Sequence, residues 1–328
     1  MTKGLIIGKF YPPHKGHSFL IETALSQVSE LTLLLADHRD QKIRGTVREQ
    51  WLREMHPTID IRVIPDTLGP DDSEGWAKYT IALLGRAPDV VFTSEKYGDA
   101  YARYMGCRHV LVDFERARMP VSATRIRKDP FAYWDFLHPC VQAFFAKRVC
   151  VLGAESTGTT TLAKALAAHY RTAWVPEFGR TYWEGKLSGD GSSAWTTQEF
   201  VFIAQEQNRL EDQMARCCHR ILICDTDSFV TGLWHERYLG SLSRDVEVLH
   251  ETRGMDLYLL TDIDVPFVQD GTRDGEHIRT AMHHRLVEEL EGRRKRYLLL
   301  SGSHEARMRK AISACDAVLS LPNPIAEG

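Results

Sequence analysis

Twice in this chain a short run of leucine and β-branched residues ends in glycine and gives way at once to a helical pattern. The first is Leu5-Ile6-Ile7-Gly8, and the second is Val149-Cys150-Val151-Leu152-Gly153. A strand that delivers a glycine turn to a helix start gathers unpaired backbone N–H groups at one point, where the helix dipole is positive. After the first opening, short apolar runs recur at residues 31–36, 61–64, 90–93 and 110–112, with helical stretches at 17–28 and 47–55. After the second they recur at 221–224, 257–260 and near 297–300. Such alternation predicts an α/β fold with parallel sheets, and two openings predict two such domains in tandem. A length of 328 residues is enough for two cores. His138-Pro139 breaks the pattern and a short helix over 141–146 leads into the second opening, so the expected domains are 1–140 and 147–328.

The net charge of −3 gives no reason to expect whole-chain affinity for nucleic acid or an anionic membrane. No apolar run approaches the roughly 20 residues of a membrane span, and the start runs into a strand with no signal-like segment. The seven cysteines are odd in number and lack paired CxxC spacing, which suits reduced thiols better than disulfides or zinc. A cytoplasmic location is the expectation. Residues 188–193 read as a polar loop, and the end of the chain, 321–328, is expected to fray.

The first opening continues Gly8-Lys9-Phe10-Tyr11-Pro12-Pro13-His14-Lys15-Gly16-His17. With 14 His and 23 Gly, an HxGH word arises by chance about 0.04 times in such a chain. Here it also follows a first strand and opens a helix. Helix amides attract phosphate, Gly16 permits close backbone approach, and two imidazoles can bond phosphate oxygens. Pro120-Val121-Ser122-Ala123-Thr124-Arg125-Ile126-Arg127 starts another helix with two hydroxyls and two arginines. Read alone, it is a helix capped by Ser122 with solvated arginines; beside HxGH it reads as a second phosphate grip.

HxGH with a late SxTxIR resembles the nucleotidylyltransferases, and the chain is most similar to the bifunctional NadR family. Further matching words are Gly75-Trp76, Phe92-Thr93-Ser94-Glu95-Lys96-Tyr97-Gly98, Val112-Asp113 with Arg118, and Pro130-Phe131-x-Tyr133-Trp134. The resemblance implies a Rossmann-like adenylyltransferase domain acting on nicotinamide mononucleotide (NMN). His14, His17 and Arg127 would stabilise the reacting phosphates. Gly8, Lys9, Phe10, Lys15, Gly16, Ser122, Thr124 and Arg125 would bind ATP. Ser94, Glu95 and Tyr97 would shape the nucleotide pocket. Trp76 is either a stacking face for the nicotinamide ring or an anchor of an amphipathic helix. The implied reaction is attack of the NMN phosphate on the α-phosphate of ATP, giving NAD and pyrophosphate, with Mg²⁺ neutralising charge.

The second opening, Gly153-Ala154-Glu155-Ser156-Thr157-Gly158-Thr159-Thr160-Thr161, has the frame of an ATP-binding P-loop, with Thr159 where that pattern carries lysine. Losing one preorganised donor costs on the order of 3 kcal/mol in the transition state. Either another cation substitutes, with Arg180, Arg273 and Arg279 as candidates, or the domain binds nucleotide without efficient catalysis, or the turn is structural. Residues 221–227 form an apolar strand ending in Asp225 and Asp227, suited to Mg²⁺ or to accepting a hydroxyl proton. Glu177-Phe178-Gly179-Arg180 follows a short strand, and Gln269-Asp270-Gly271-Thr272-Arg273 reads as a lid turn. These words are again similar to NadR, now to its ribosylnicotinamide kinase domain. That resemblance implies phosphorylation of nicotinamide riboside to NMN, with Thr160 and Asp225 holding Mg²⁺ and Asp225 or Asp227 as base. It also implies that Glu177, Arg180, Phe267 and Asp270 meet substrate, with Phe267 nearest to the family's ring-stacking tryptophan. The alternative is an adenylyltransferase fused to a weak, nucleotide-sensing P-loop domain with a regulatory role. Expected partners are therefore ATP, NMN, nicotinamide riboside and NAD, with self-association compatible with the sequence. Some members of the family carry an N-terminal DNA-binding domain. This chain starts at the transferase strand, so no DNA binding is expected.

Overall fold

The computed structural model describes residues 1–69, 71–188, 194–269, 271, 273 and 275–325. The chain divides into two compact units, Met1–Val141 with Pro322–Gly328, and Gln142–Leu321. The first unit runs β1 (Lys3–Gly8), α1 (Lys15–Leu25), β2 (Glu30–Asp37), α2 (Gly45–Met55), β3 (Asp60–Pro65), α3 (Ser73–Leu84), β4 (Val90–Thr93), α4 (Gly98–Met105), β5 (Arg108–Leu111) and α5 (Ala123–Lys128). Its sheet is five-stranded and wholly parallel, in the order β3-β2-β1-β4-β5. The near-continuous apolar strands follow from burial on both faces. Ile6, Leu33, Leu35 and Phe92 pack against Ile21 and Ala24 of α1, whereas Leu5, Leu34 and Val91 pack against Ala77, Tyr101 and Ala102 on the other side. Strand order reverses between β1 and β4, and in open α/β sheets ligands bind outside the carboxyl ends at such a point. Gly8 and Thr93 are those carboxyl ends.

The boundary between the units falls inside α6 (Pro139–Phe145). The second unit continues with β6 (Lys147–Gly153), α7 (Thr159–Tyr170), β7 (Trp174–Val175), α8 (Phe178–Leu187), α9 (Thr197–Ala215), β8 (Ile221–Asp225), α10 (Ser228–Leu239) and α11 (Arg244–Glu251). It closes with β9 (Leu257–Thr261), α12 (Glu276–Gly292), β10 (Tyr297–Leu300) and α13 (His304–Leu319). This sheet is also parallel, in the order β10-β9-β6-β8-β7. Side chains alternate again: Val149, Val151, Ile223 and Leu259 meet α7 and α13, while Cys150, Leu152, Tyr258 and Leu260 meet α10 and α12. Val151 is level with Asp225, so the glycine turn after β6 and the carboxylates after β8 open on the same end of the sheet.

Two tandem parallel-sheet α/β units are what the alternation of runs predicts. Residues 322–325 depart from the expectation that the end frays and belongs with the second domain, while 326–328 lie outside the described residues. From Pro322 it joins the first unit, where Ile325 is 6% exposed. Asn323 Nδ2 donates to the Arg127 carbonyl at 2.7 Å, and Lys42 Nζ donates to the Pro324 carbonyl at 2.6 Å. These bonds and the buried isoleucine tie down what composition alone marks as loose. Among the described residues no helix is long and apolar enough to cross a membrane, and all seven cysteines are free thiols.

Candidate active sites

His14 caps α1 in extended geometry. Its Nδ1 accepts the Gly16 N–H at 3.1 Å, and His17 Nδ1 accepts the His14 N–H at 3.2 Å. The HxGH word is therefore a reciprocal helix cap written in histidine. The two rings stack with centroids 3.7 Å apart. An Nδ1 that accepts cannot carry the proton of a neutral imidazole, so both rings keep theirs on Nε2. Neutrality is enforced by the surroundings. Burial, then His17, Arg116 and His138, holds His14 well below the usual imidazole range. Burial, then Arg116, takes His17 down to about 3. The pair thus offers two uncharged Nε2–H donors. Phe10, 3% exposed, packs its ring 4.8 Å from that of His17. A Cβ on Gly16 would lie 2.9 Å from His14 Nδ1, too close for any other residue.

That same hypothetical Cβ would stand 3.4 Å from Val121 Cγ1, so the start of α5 lies against the start of α1. Ser122 Oγ accepts the Arg125 N–H at 3.3 Å, the capping bond read from sequence, while Thr124 and Arg125 are exposed. Arg127 turns back, with Nη1 donating to the Tyr11 carbonyl at 2.7 Å and its guanidinium 4.8 Å from the Tyr11 ring centroid. The two motifs, more than a hundred residues apart in sequence, thus meet at one end of the sheet. Lys9 pairs with Asp66 at 2.8 Å, and Lys15 is exposed. Tyr97 OH donates to the Ile7 carbonyl at 2.9 Å, and Glu95 accepts from Arg116 at 2.9 Å. Ser94 is half-buried beside them. Trp76 is half-buried on α3, with its N–H given to the Gly69 carbonyl at 3.2 Å.

Two arginines escaped the sequence reading. Arg116 is the cation felt by both histidines, and it also holds the Val121 carbonyl at 2.7 Å. Arg48 is fully buried and ties the Lys9 carbonyl to Asp37 and Gln41. Nothing in the pattern of α2 distinguishes Arg48 from its solvated neighbours.

In the second unit β6 ends at Gly153, where a Cβ would come within 2.1 Å of Thr261 Oγ1. The loop turns through Ser156 (φ +59°) and Gly158 (φ +85°) into α7. It borders a cleft of about 210 Å³ lined by Gly153, Glu155, Ser156, Gly158, Thr159, Thr160 and Thr161. Thr157 does not line it: its hydroxyl donates to the Ala154 carbonyl at 2.6 Å and meets Thr261 at 2.7 Å, bracing the loop from inside. Thr160 Oγ1 donates to Asp225 Oδ2 at 2.5 Å, and the Thr159 hydroxyl is also bonded to Asp225. Burial raises the Asp225 carboxyl, opposed by those two hydroxyls, Arg180 and Lys164. Glu177, at the start of α8, is pushed up to about 7 by burial and by Asp225, against the pull of Arg180 at 3.5 Å.

The structure divides the two strand-end aspartates. Asp227 Oδ1 accepts the Val230 N–H at 3.2 Å as the cap of α10, and Oδ2 accepts from Tyr258 OH at 2.8 Å. Both oxygens are engaged, the residue is 2% exposed, and it does not border the cleft. The sequence-based role of Asp227 as a base therefore gives way to a structural one. Phe267 is corrected likewise. It is half-buried and does not border the cleft, whose aromatic wall comes from Trp183, Trp195, Phe200, Trp234 and Tyr238. Trp183 and Trp195 stack at 5.2 Å, and Trp195 lies 5.4 Å from Tyr238. Those rings sit on three helices and a connecting segment, so no local word betrays the wall. Arg180 and Arg273 border the cleft. Arg279 and Arg307 stand behind the loop, donating to the Ser156 carbonyl at 3.4 Å and the Thr157 carbonyl at 2.7 Å. Asp270 lies outside the described residues.

Comparison with known proteins places both units in a family. The AAA domain family profile matches residues 148–307, the stretch that carries the P-loop. The trifunctional NAD biosynthesis/regulator protein NadR of Escherichia coli K12 is 33% identical over 315 residues, spanning 88% of this chain and 76% of that protein. This chain belongs to the NadR family. The NadR of Salmonella typhimurium LT2 is likewise 33% identical over 313 residues, with 88% and 76% covered. A crystal structure of NadR in complex with NR superposes with a TM-score of 0.80 at 21% identity, covering 98% of this chain and 96% of that one. One in complex with NAD and AMP-PNP gives 0.77 at 21% identity, with the same coverage. At that identity the solved structures speak for the NadR fold.

Proposed function

We propose that this NadR-family chain is a bifunctional enzyme of NAD biosynthesis. Its first unit transfers the adenylyl group of ATP to NMN, releasing pyrophosphate, and its second phosphorylates nicotinamide riboside to NMN. The observation that carries the first activity is the pair of neutral Nε2–H donors at the mouth of a phosphate-attracting helix. Adenylyl transfer needs positioning and stabilisation of charge that develops on the α-phosphate and the departing pyrophosphate. In this reading His14 and His17 donate to the reacting phosphate, and Arg116 supplies fixed positive charge. Ser122, Thr124, Arg125 and Arg127 hold the outer phosphates that leave. Tyr97, Ser94, Glu95 and Trp76 border the NMN side.

For the second activity the support is a carboxyl at about 7 beside a P-loop, facing an aromatic wall. Glu177 is then the general base, because a base poised near neutral pH both accepts a proton and is present unprotonated. The pyridinium ring of nicotinamide riboside is a cation that indole faces attract. Thr160 and Asp225 form a hydroxyl–carboxylate pair of hard oxygen donors that fits Mg²⁺, which takes one or two carboxylates and completes its shell from phosphate and water. Bound there with ATP, Mg²⁺ neutralises phosphate charge. Among the described residues no group of three or more acidic, His or Cys ligands forms a protein-only cage. In this reading the partners are small molecules: ATP, NMN, nicotinamide riboside and NAD.

The engagement of Thr159 with Asp225 favours a second reading, an adenylyltransferase joined to a weak nucleotide sensor. Supplying ATP and Mg²⁺ with nicotinamide riboside, NMN or nicotinic acid mononucleotide separately, and identifying products, separates the two. NMN and NAD from the riboside support the bifunctional enzyme, and NAD from NMN alone supports the sensor. The missing lysine sharpens the test. In the bifunctional reading Arg273 supplies the charge, so Arg273→Ala lowers riboside phosphorylation about a hundredfold and Thr159→Lys on that background restores part of it. A hundredfold gain from Thr159→Lys in the otherwise unaltered chain would mean that the natural loop lacks its cation, as the sensor reading holds.

A further inference from the structure

Helix α5 carries the residues assigned to the outer phosphates, yet it is six residues long. A helix this short leaves most of its carbonyls without an intrahelical partner and is marginal unless other parts of the fold hold it. Its last turn is held from two sides. Arg127 reaches back to the Tyr11 carbonyl at 2.7 Å, and the Arg127 carbonyl itself accepts from Asn323 Nδ2 at 2.7 Å. Asn323 Oδ1 accepts the Ile325 N–H at 3.4 Å, which fixes the amide with its NH₂ toward α5. Pro322 and Pro324 have no N–H to offer, so this segment binds through one amide, one carbonyl and one buried isoleucine. The carbonyl is that of Pro324, taken by Lys42 Nζ, and the Lys42 N–H in turn donates to Tyr11 OH at 3.0 Å. The Tyr11 ring centroid lies 4.8 Å from the guanidinium of Arg127 and 5.4 Å from that of Arg48. This strap, residues 322–325, therefore meets one support of Arg127 directly, its own helix end, and reaches the other, the tyrosine it packs on, through Lys42.

We propose that Asn323 is a positioning residue for the first active site. Through the Arg127 carbonyl it sets the attitude of α5 at which Arg127 and the α5 hydroxyls meet the outer phosphates of ATP. This rests on the reading of α5 as the ATP-binding helix. The test compares Asn323→Ala, Asn323→Asp and Asn323→Gln in the full chain. Asn323→Ala is expected to raise the KM for ATP in NAD formation five- to tenfold with kcat within twofold. Asn323→Asp, which sets an oxygen against an oxygen, is expected to raise it further, and Asn323→Gln, which keeps the N–H, to recover part of the loss. Riboside phosphorylation by the same preparations stays unchanged. Amide exchange at residues 123–129 should quicken in Asn323→Ala whether or not NMN is the acceptor. Unchanged exchange at α5, or an unchanged KM for ATP in both the Ala and Asp variants, overturns the proposal. A natural chain that makes no NAD from NMN overturns the function reading instead, and the exchange result then decides on Asn323 alone.

Discussion

His17→Asn lowers kcat/KM for NAD formation by about 10²- to 10³-fold, roughly 3–4 kcal/mol of transition-state stabilisation, while leaving the fold intact. The asparagine carbonyl stands close to where Nδ1 accepts the His14 N–H, so the helix cap survives. What disappears is the Nε2–H donor. Melting temperature should stay within about 4 °C of the natural chain, equivalent to ~1 kcal/mol. A pH profile adds a second check. With His17 at about 3 and His14 also depressed, both rings are neutral throughout the physiological range. Adenylyl transfer should therefore show no limb near pH 6.5. A limb there, removed by His17→Asn, would mean that a protonated imidazole does the work and that the neutral-donor account is wrong.

Glu177→Gln should reduce riboside phosphorylation by about 10²- to 10⁴-fold, the usual contribution of a positioned base. The amide keeps the size of the side chain and removes its basicity. The raised carboxyl sets the direction of the pH dependence. Below about 7 Glu177 is protonated and cannot accept the 5′-hydroxyl proton, and above it the base is available. The kcat/KM for nicotinamide riboside should rise tenfold per pH unit on the acid side and level off above about 7. The Gln variant should be flat across the same range. Asp227→Asn provides the contrast. It disturbs the Tyr258 bond and the cap of α10, so it should lower stability far more than it lowers the intrinsic rate of the folded fraction. A Glu177→Gln enzyme that retains both its rate and its acid limb would transfer the role to Asp225.

The residues that were legible in the sequence are those whose function is local. Gly8 and Gly153 end strands, HxGH and Ser122 cap helices, and each of these signals lies within a few neighbouring positions. The parallel fold followed from the alternation of short apolar runs with helical stretches. Contacts across the fold were not legible. Asp225 and Asp227 look equivalent at a strand end, and it is the Val230 N–H together with Tyr258, two strands away across the sheet, that engages both oxygens of Asp227. Phe267 was plausible by proximity to the lid turn, whereas Trp183, Trp195, Trp234 and Tyr238 converge from separate elements. Arg116 and Arg48 look like ordinary surface arginines until burial and the histidine electrostatics single them out. The final prolines read as a loose end because composition carries no sign of the seat that receives Ile325.

That final segment has a consequence for how the molecule is made. The first unit includes residues that follow the whole of Gln142–Leu321 along the chain. At about 5–20 residues per second, a ribosome spends roughly 10–40 s on that intervening stretch. Throughout that time the first unit must persist with the Arg127 carbonyl uncapped and the place of Ile325 vacant. Its last hydrogen bonds form only after the second unit has been synthesised. A nascent chain interrupted between the two would carry both HxGH and SxTxIR and still lack the strap, so the order of synthesis ties the completion of the first unit to the production of the second.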